Sequence, residues 1–292
     1  MQSEIQINLK YSLVDESYTN NMVQDGTLLT VIEEDRFSFC LLDNDRQKMV
    51  LLKDYRLINT SSQAINLGDF FTKVYETDSD LQNIARSKTV LSVYSPCSVL
   101  VPTPLFLKEK AKTVLEQICA IDDTVDIMED HIFDANAYHV FSVSRDLLKS
   151  SGDAFKQATL FHAGSAFIES QIRLNKHQIE PVVSINVRTK SFDMVVSNGS
   201  NLILHNTFPF ETSEDLIYYI LFTLEQLGLN PDSVTVRFYG EIDKMSSSWL
   251  VSKKYIRNIE FGNWLEGLDF SYGFDQVNPH QYYALFSQSL CV

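Results

Sequence analysis

Asp122, Asp123, Asp126, Glu129 and Asp130 place five carboxylates within nine residues, a density that invites a metal ion. A calcium loop needs oxygen ligands at alternate positions, a glycine for its sharp turn and a distal glutamate. The D-x-D-x-D-G order is absent here, so the run is expected to be a solvated face. The six histidines (His131, His139, His162, His177, His205, His280) are dispersed, with no H-E-x-x-H or Cys/His ligand spacing. His139 and His205 fall in strand patterns and are expected to be hydrogen-bonded strand residues. Cys40, Cys97, Cys119 and Cys291 are scattered in apolar settings and read as buried free thiols of a reducing cytosol. There is no Gly-rich phosphate loop, no G-x-G-x-x-G and no G-x-S-x-G elbow. Nothing points to a Ser/His/Asp triad. No catalytic residue, cofactor site or metal site can be named from these residues.

The elements that would position any site centre on residues 181–241. Val182 to Val187 is β-branched and apolar enough for a buried strand. Lys190 to Ser197 follows after a very short connection, so the two form a hairpin. Asn198-Gly199-Ser200-Asn201 is turn chemistry, and Leu202 to Phe210 is a third strand. Thr212 reads as a helix N-cap with Asp215 bonding back to it. Leu216, Ile220, Leu224 and Leu227 make one helical stripe, ended by Gly228 and Pro231. Val234, Val236 and Phe238 alternate with polar residues in a fourth strand. The order is βββαβ.

A looser copy starts at Thr27. Strands are expected at Leu28 to Ile32, Phe37 to Leu41, Met49 to Leu52 and Thr89 to Tyr94. Leu67 to Ala85 is a helix with a weak middle at Thr77 and Ser79. Laying Ile185 over Val31 requires an offset of 154 (185 − 31), and the turns at Asn198 and Asn44 then coincide (198 − 44). Residues 1–26 are either an edge strand or loose. Between the copies, Ser98 to Val101 and Tyr138 to Ser144 read as strands, and Leu107, Ala111, Val114, Leu115 and Ile118 as a helical stripe begun by Thr103-Pro104. Ser144 caps a short helix ended near Gly152, and Ala158 to Phe161 and Ala163 to Leu174 form a strand and a helix. Ser246 to Ser248 can cap a helix over Trp249 to Tyr255, followed by a strand at Ile256 to Phe261. Trp264, Phe270, Tyr272 and Phe274 are expected to pack under a loop, and Asn278-Pro279 to cap a last helix.

At 292 residues with 45% hydrophobic composition the chain can bury a core in one or two domains. No apolar run approaches the ~20 residues of a membrane helix. The opening MQSEIQINLKYS lacks the pattern of a signal peptide, so the expected compartment is the cytoplasm. A net charge of −14 argues against binding a phosphate backbone.

A hairpin plus strand, then helix and strand, duplicated into two lobes, resembles the actin-like ATPases built on the ribonuclease-H-like core. Residues 93–102, the expected helix from Leu105 to Cys119, Asp126 to Phe133, and the strand and helix of Tyr138 to Lys149 look like the small inserted subdomain of the PilM and FtsA families. Phe155 to Ile172 resembles their next strand and crossover helix, and Asn278 to Ser287 their closing helix. The likeness covers most of residues 25–290 and suggests a bacterial family of unknown function with this α/β (α+β) fold. It implies an N-terminal lobe at 1–174, with an inserted subdomain at about 95–133, and a C-terminal lobe at 175–292.

The resemblance also implies what is missing. Actin-like ATPases place D-x-G in the first hairpin turn of each lobe, where Gly admits backbone N–H groups to phosphate and Asp positions metal and water. Here the turns read Glu33-Glu34-Asp35-Arg36 and Asn186-Val187-Arg188-Thr189. Pro209-Phe210-Glu211 replaces a Gly pair, and the adenosine-side motif is reduced to Tyr239-Gly240-Glu241. Three readings follow. The first is a catalytically silent actin-like protein that binds another protein or peptide through Val99, Val101 and Leu105 of the inserted segment, with no cofactor. The second is a divergent ATP-binding protein or kinase relative. The third is a two-metal nuclease using Glu33, Glu34, Asp35 and Asp193, which must then converge within a few ångströms.

Overall fold

Strand β2 (Thr27–Ile32) is buried along its whole length because layers cover both of its faces. It pairs antiparallel with β3 (Arg36–Asp43) and parallel with β5 (Lys88–Val93). The protein is seen in a computed structural model that describes residues 5–19, 25–58 and 66–291. Outside these two strands, β4 (Lys48–Ile58) pairs with β3 and β1 (Gln6–Val14) with β4, so the N-terminal segment is an edge strand. Completed by β9 (Ala158–His162) beside β5 and β15 (Asp269–Phe270) beside β4, the sheet has seven strands.

The helix between β4 and β5 is two helices, α1 (Leu67–Thr77) and α2 (Ser79–Ile84). Asp78 breaks them apart. Its backbone is extended, its N–H still bonds Val74 O, and its carboxylate caps the Leu81 N–H while holding Lys53 and Tyr55. One face of the sheet packs Phe37, Phe39, Phe70, Phe71 and Leu81 together. The other buries Leu29, Cys40 and Leu52 under Phe274, Tyr282 and Phe286. The last helix, α8 (Tyr283–Ser287), is shorter than expected, because residues 278–281 form a turn before it. Residues from Asp269 onward therefore return to the first lobe, where Trp264, Phe270 and Phe286 stack on one another.

The second copy follows its sequence closely. β10 (Val182–Val187) pairs antiparallel with β11 (Ser191–Asn198) and parallel with β13 (Thr235–Gly240). β12 (Asn201–Pro209) and β14 (Asn258–Phe261) flank them in a five-stranded sheet. Helix α6 (Ser213–Gln226) opens with the full Thr212/Asp215 capping box and buries Leu216, Ile220 and Leu224. Helix α7 (Ser247–Tyr255), capped by Ser246, packs against it. The pairing β2–β3–β5 is thus repeated as β10–β11–β13.

Between the copies lies a three-stranded sheet ordered β6 (Ser98–Pro102), β8 (Ala137–Ser144), β7 (Val125–Ile132). It runs to Ser144, beyond the expected limit near residue 133. Two expectations fail here and a third fails in part. The helix Leu105 to Cys119 is only α3 (Ala111–Leu115), preceded by two 3-10 turns, because in this stretch Ala111 and Leu115 alone are fully buried, against Val101 and Val140. The acidic run is a solvated face except at its end: Asp122 and Asp123 are exposed, Asp126 and Glu129 lie half-exposed on β7, and Asp130 is buried. Cys97 and Cys119 are not free thiols but a disulfide with Cα atoms 5.9 Å apart, because α3 folds back over the start of β6. Cys40 is free and buried, and the Cys291 side chain lies outside the described residues. Helix α4 (Arg145–Ala154) runs through Gly152, and α5 (Ala163–Asn175) crosses from β9 to the second lobe.

Candidate functional site

The two equivalent hairpin turns meet at the junction between the lobes. Glu33 N–H bonds Arg36 O at 2.8 Å and Arg188 N–H bonds Ser191 O at 2.8 Å, so each turn is closed on itself. Arg188 then reaches across: its Nε donates to Glu33 Oε1 at 3.0 Å, and its two terminal nitrogens clamp the Asp193 carboxylate. Such a fork-on-carboxylate pair is the strongest common side-chain bond. All three side chains are at least 91% buried, so no water competes. The Arg188 guanidinium also lies over the Tyr94 ring, 4.3 Å from its centroid. At the rim Thr189 Oγ1 donates to Asp35 Oδ1 at 2.9 Å.

A second set of charges continues from Arg36. Its Nε donates to Asp54 Oδ1 at 2.9 Å and to Ser38 Oγ at 2.7 Å, and its Nη1 lies 3.4 Å from Glu241 Oε1. Arg56 bonds the same Glu241 oxygen. Tyr282 donates to Asp54 Oδ2 at 2.8 Å and lies under the Arg36 guanidinium. Burial pushes the Asp193 carboxyl up, but Arg188 outweighs it and holds the group at about 2. Burial likewise opposes ionisation of Asp54, and Arg36 and Arg56 win. For Glu33 burial prevails over Arg36 and Arg188, and its pKa is raised. Every guanidinium at this junction is thus engaged by carboxylates of the chain itself.

Two small cavities border this junction. One cavity of about 20 Å³ lies between Glu33, Asn186, Gly240 and Tyr282, and another of about 140 Å³ is bounded by Lys10, Arg36, Arg56, Glu241 and Gln281. Sites for drug-sized molecules run to roughly 300–1,000 Å³. Gly240, the remnant of the adenosine-side motif, has φ +80, and a Cβ there would lie 2.2 Å from Val187 O. Its glycine is required by the close approach of β13 to β10. The nuclease reading fails on the same geometry. Glu33 and Asp193 are bound to Arg188 and Asp35 to Thr189, and among the described residues no three His, Cys, Asp or Glu are grouped to hold a metal ion.

Beside Arg188 lies a cluster that sequence spacing missed. His139 of β8, His162 at the end of β9 and His205 of β12 converge, with ring centroids 4.1 Å apart for His139–His162 and 5.4 Å for His139–His205. They come from three different sheets, so no linear motif could join them. His162 caps α5: its Nδ1 accepts from Gly164 N–H at 3.0 Å and its Nε2 donates to Ser95 O at 3.0 Å. Its backbone N–H donates to Asp130 Oδ2 at 2.6 Å, as does Ser165 Oγ at 2.6 Å, and Ser165 also meets His139 Nδ1 at 3.0 Å. Burial raises Asp130 to about 7 and lowers His162 to about 4. His139 and His205 are lowered too, again chiefly by burial. Asp130, Ser165 and His139 are no nucleophilic triad. The serine stands between acid and base, already donating to the acid, and is buried.

The candidate docking residues lie away from this junction. Val101 is buried, Val99 is half-buried against the same small core, and Leu105 is 73% exposed.

A family model described as "Protein of unknown function (DUF3822)" matches residues 15–259. No curated protein matches the sequence. A crystal structure of a Bacteroides thetaiotaomicron protein with an actin-like ATPase fold and unknown function superposes with TM-score 0.80 at 17% identity, covering 94% of this chain and 99% of that one. A chain of the PilM–PilN type IV pilus biogenesis complex superposes with TM-score 0.66 at 12% identity, covering 91% and 98%. At these identities the likeness is one of fold, and the chain has the two-lobed actin-like ATPase fold.

Proposed function

The chain belongs to the DUF3822 family of proteins of unknown function, and on that premise we propose that it is a non-catalytic member of the actin-like fold that works by binding another protein. The observation that carries this reading is Arg188. It projects from the second-lobe turn into the first-lobe turn and is held by Glu33 and Asp193, where relatives of this fold would cradle phosphate. A polyphosphate entering here would have to break buried ion pairs and would face the freed carboxylates, an arrangement that repels it. Residues 1–174 and 175–292 are read as the two lobes of a frame that presents the inserted subdomain, the segment from Asp269 onward returning to pack on the first lobe. Val99, Val101 and Leu105 belong to the surface we assign to the partner, a protein or peptide and not a nucleic acid. Val99 and Val101 contribute by fixing β6 on its core. The expected compartment is the cytoplasm; among the described residues no helix is long and apolar enough to cross a membrane.

A divergent nucleotide-binding protein is the second reading, favoured by the cavity of about 140 Å³ beside Arg36, Arg56 and Glu241. Thermal unfolding with and without Mg-ATP or Mg-ADP separates the two. A ligand at 100 times its Kd stabilises the native state by about 2.7 kcal/mol. The expected outcome is an unchanged melting temperature at millimolar nucleotide. A rise of several degrees sinks the non-catalytic reading and turns attention to how the junction opens.

A further inference from the structure

We propose that the Cys97–Cys119 disulfide is a redox latch: a dithiol reductant opens it, and residues 103–121 then lift off the inserted sheet. The proposal goes beyond the protein-binding reading and does not depend on it. The two cysteines stand in unlike places. Cys97 is fixed, its carbonyl accepting from Ser142 N–H of β8 at 3.1 Å and from Ser95 Oγ at 3.2 Å. Cys119 follows α3 and leads into a connection where Ala120, Asp122, Asp123 and Thr124 are exposed. Both cysteines are only half-buried, which leaves the bond open to an attacking thiolate. Cys40 is the inert contrast, fully buried with its thiol pushed well up by that burial.

The rest of this segment's anchorage is slight. Helix α3 has five residues, too short to be stable by itself. Ala111 and Leu115 bury against Val101 and Val140, and Phe106 stacks on Tyr138 with 4.0 Å between centroids. Lys108 pairs with Glu129 but is 77% exposed, so water competes for that bond. The disulfide closes a separation of 22 residues and restrains what these contacts hold only loosely. The opposite face of the same sheet is secured independently, since Phe141 and Val143 lie in the first-lobe core. Opening therefore uncovers Val101 and Val140 and leaves both lobes in place. In the reducing cytoplasm expected for this chain, a disulfide is a bond made and broken with redox state. The step balances as two thiol exchanges. A thiolate of the reductant attacks one sulfur, forms a mixed disulfide and releases the other cysteine, which takes up a proton. The reductant's second thiolate then displaces the first sulfur. Cys97 and Cys119 end as thiols, reduced by two electrons, and the reductant ends as its own disulfide.

The test treats the native full-length protein with dithiothreitol, traps thiols with N-ethylmaleimide for mass spectrometry, and follows amide hydrogen exchange before and after. Cys97 and Cys119 should become alkylated without denaturant while Cys40 stays protected. The amides of Lys110, Glu116 and Cys119 bond to Leu107 O, Lys112 O and Leu115 O in the latched form. On reduction they should exchange at least about ten-fold faster, with peptides from β2, β5 and β10 changing less than about two-fold. Reoxidation with diamide should restore the slow rates, and the double variant Cys97→Ser/Cys119→Ser should show the fast ones without reductant. Should that variant not fold, reduction of the wild type still decides. A bond that yields to dithiothreitol only in denaturant overturns the proposal, as does unchanged exchange at residues 103–121 after reduction. Faster exchange across both lobes overturns it too, making the bond a cross-link of the whole fold. So do free thiols at Cys97 and Cys119 that diamide cannot join. All of these outcomes leave the protein-binding reading standing, which the nucleotide titration judges separately.

Discussion

The two hairpin turns occupy equivalent places in a duplicated unit, yet one is acidic and the other basic. The first presents Glu33, Glu34 and Asp35, and the second presents Arg188 and Lys190. Two like turns facing a cleft would need a third party of opposite charge, and in ATP-binding relatives of this fold that party is metal and phosphate. Two unlike turns need none. Arg188 binds Glu33 directly, and the lobes close on each other. The two turns thus differ in the sign of charge at one pair of symmetry-related positions, Glu33 and Arg188.

The largest expected effect comes from breaking that complementarity. Arg188→Ala leaves Glu33 and Asp193 buried with no cation between them. Removal of one partner from a buried pair costs about 3–5 kcal/mol, a large part of a typical domain stability of about 5–15 kcal/mol. Urea unfolding monitored by tryptophan fluorescence reads it. The triple variant Arg188→Met/Glu33→Gln/Asp193→Asn removes the charges together and should recover most of the loss. A cost below ~1 kcal/mol for the single variant would mean that the turns merely touch.

The second effect contrasts the two sides of the junction by pH. On the second-lobe side Asp193 stays ionised down to about 2, so its contribution is constant from pH 7 to 4. The first-lobe side titrates. His162 is lowered to about 4, so the stability of its neutral form is full above the ordinary histidine value and is lost as pH falls from about 6.5 toward 4. Asp130 is raised to about 7, so the folded state takes up a proton first and gains stability as pH falls through that same window. Each effect is worth up to ~3 kcal/mol, with opposite sign. Asp130→Asn, which deletes that gain, should therefore lose stability more steeply between pH 7 and 5 than the wild type does. Parallel curves for the two proteins would show that the acid and the histidine are not opposed.

Local pattern made the second lobe legible, from the VVSINV strand to the Thr212 capping box, because each signal is complete within a few residues. It failed in the inserted subdomain. There the Leu107 to Ile118 stripe has helical period, but no partner layer exists for Leu107 or Ile118, and the helix shrinks to the turn that Ala111 and Leu115 can bury. The site was half legible. Degraded phosphate turns could be read from Glu33 to Arg36 and from Asn186 to Thr189. The pairing of Glu33 with Arg188 spans 155 residues and leaves no local trace. The Cys97–Cys119 bond and the convergence of His139, His162 and His205 are hidden for the same reason. The offset of 154 read from the sequence was one residue short of the 155 at which the hairpins superpose (187 − 32, 192 − 37), so it set Glu33 against Val187 and not against Arg188.

The smallest effect tests whether the rim of the two turns matters as their buried centre does. Thr189 Oγ1 donates to Asp35 Oδ1 in a bond open to solvent, and the nearest other contact, Arg56 Nη1, is 3.5 Å away. Water replaces such a bond readily, so Thr189→Ala should cost only about 0.5 kcal/mol. The loss should be the same at low and high salt, because the hydroxyl carries no charge. Buried Arg188 is shielded from ions as well, so its larger loss should also be insensitive to salt. A Thr189→Ala penalty comparable with that of Arg188→Ala would mean that the lobes are held by their rim. The opposed charges of the two turns would then be incidental to closure, and an open, ligand-accepting junction would lie only a few exposed bonds away.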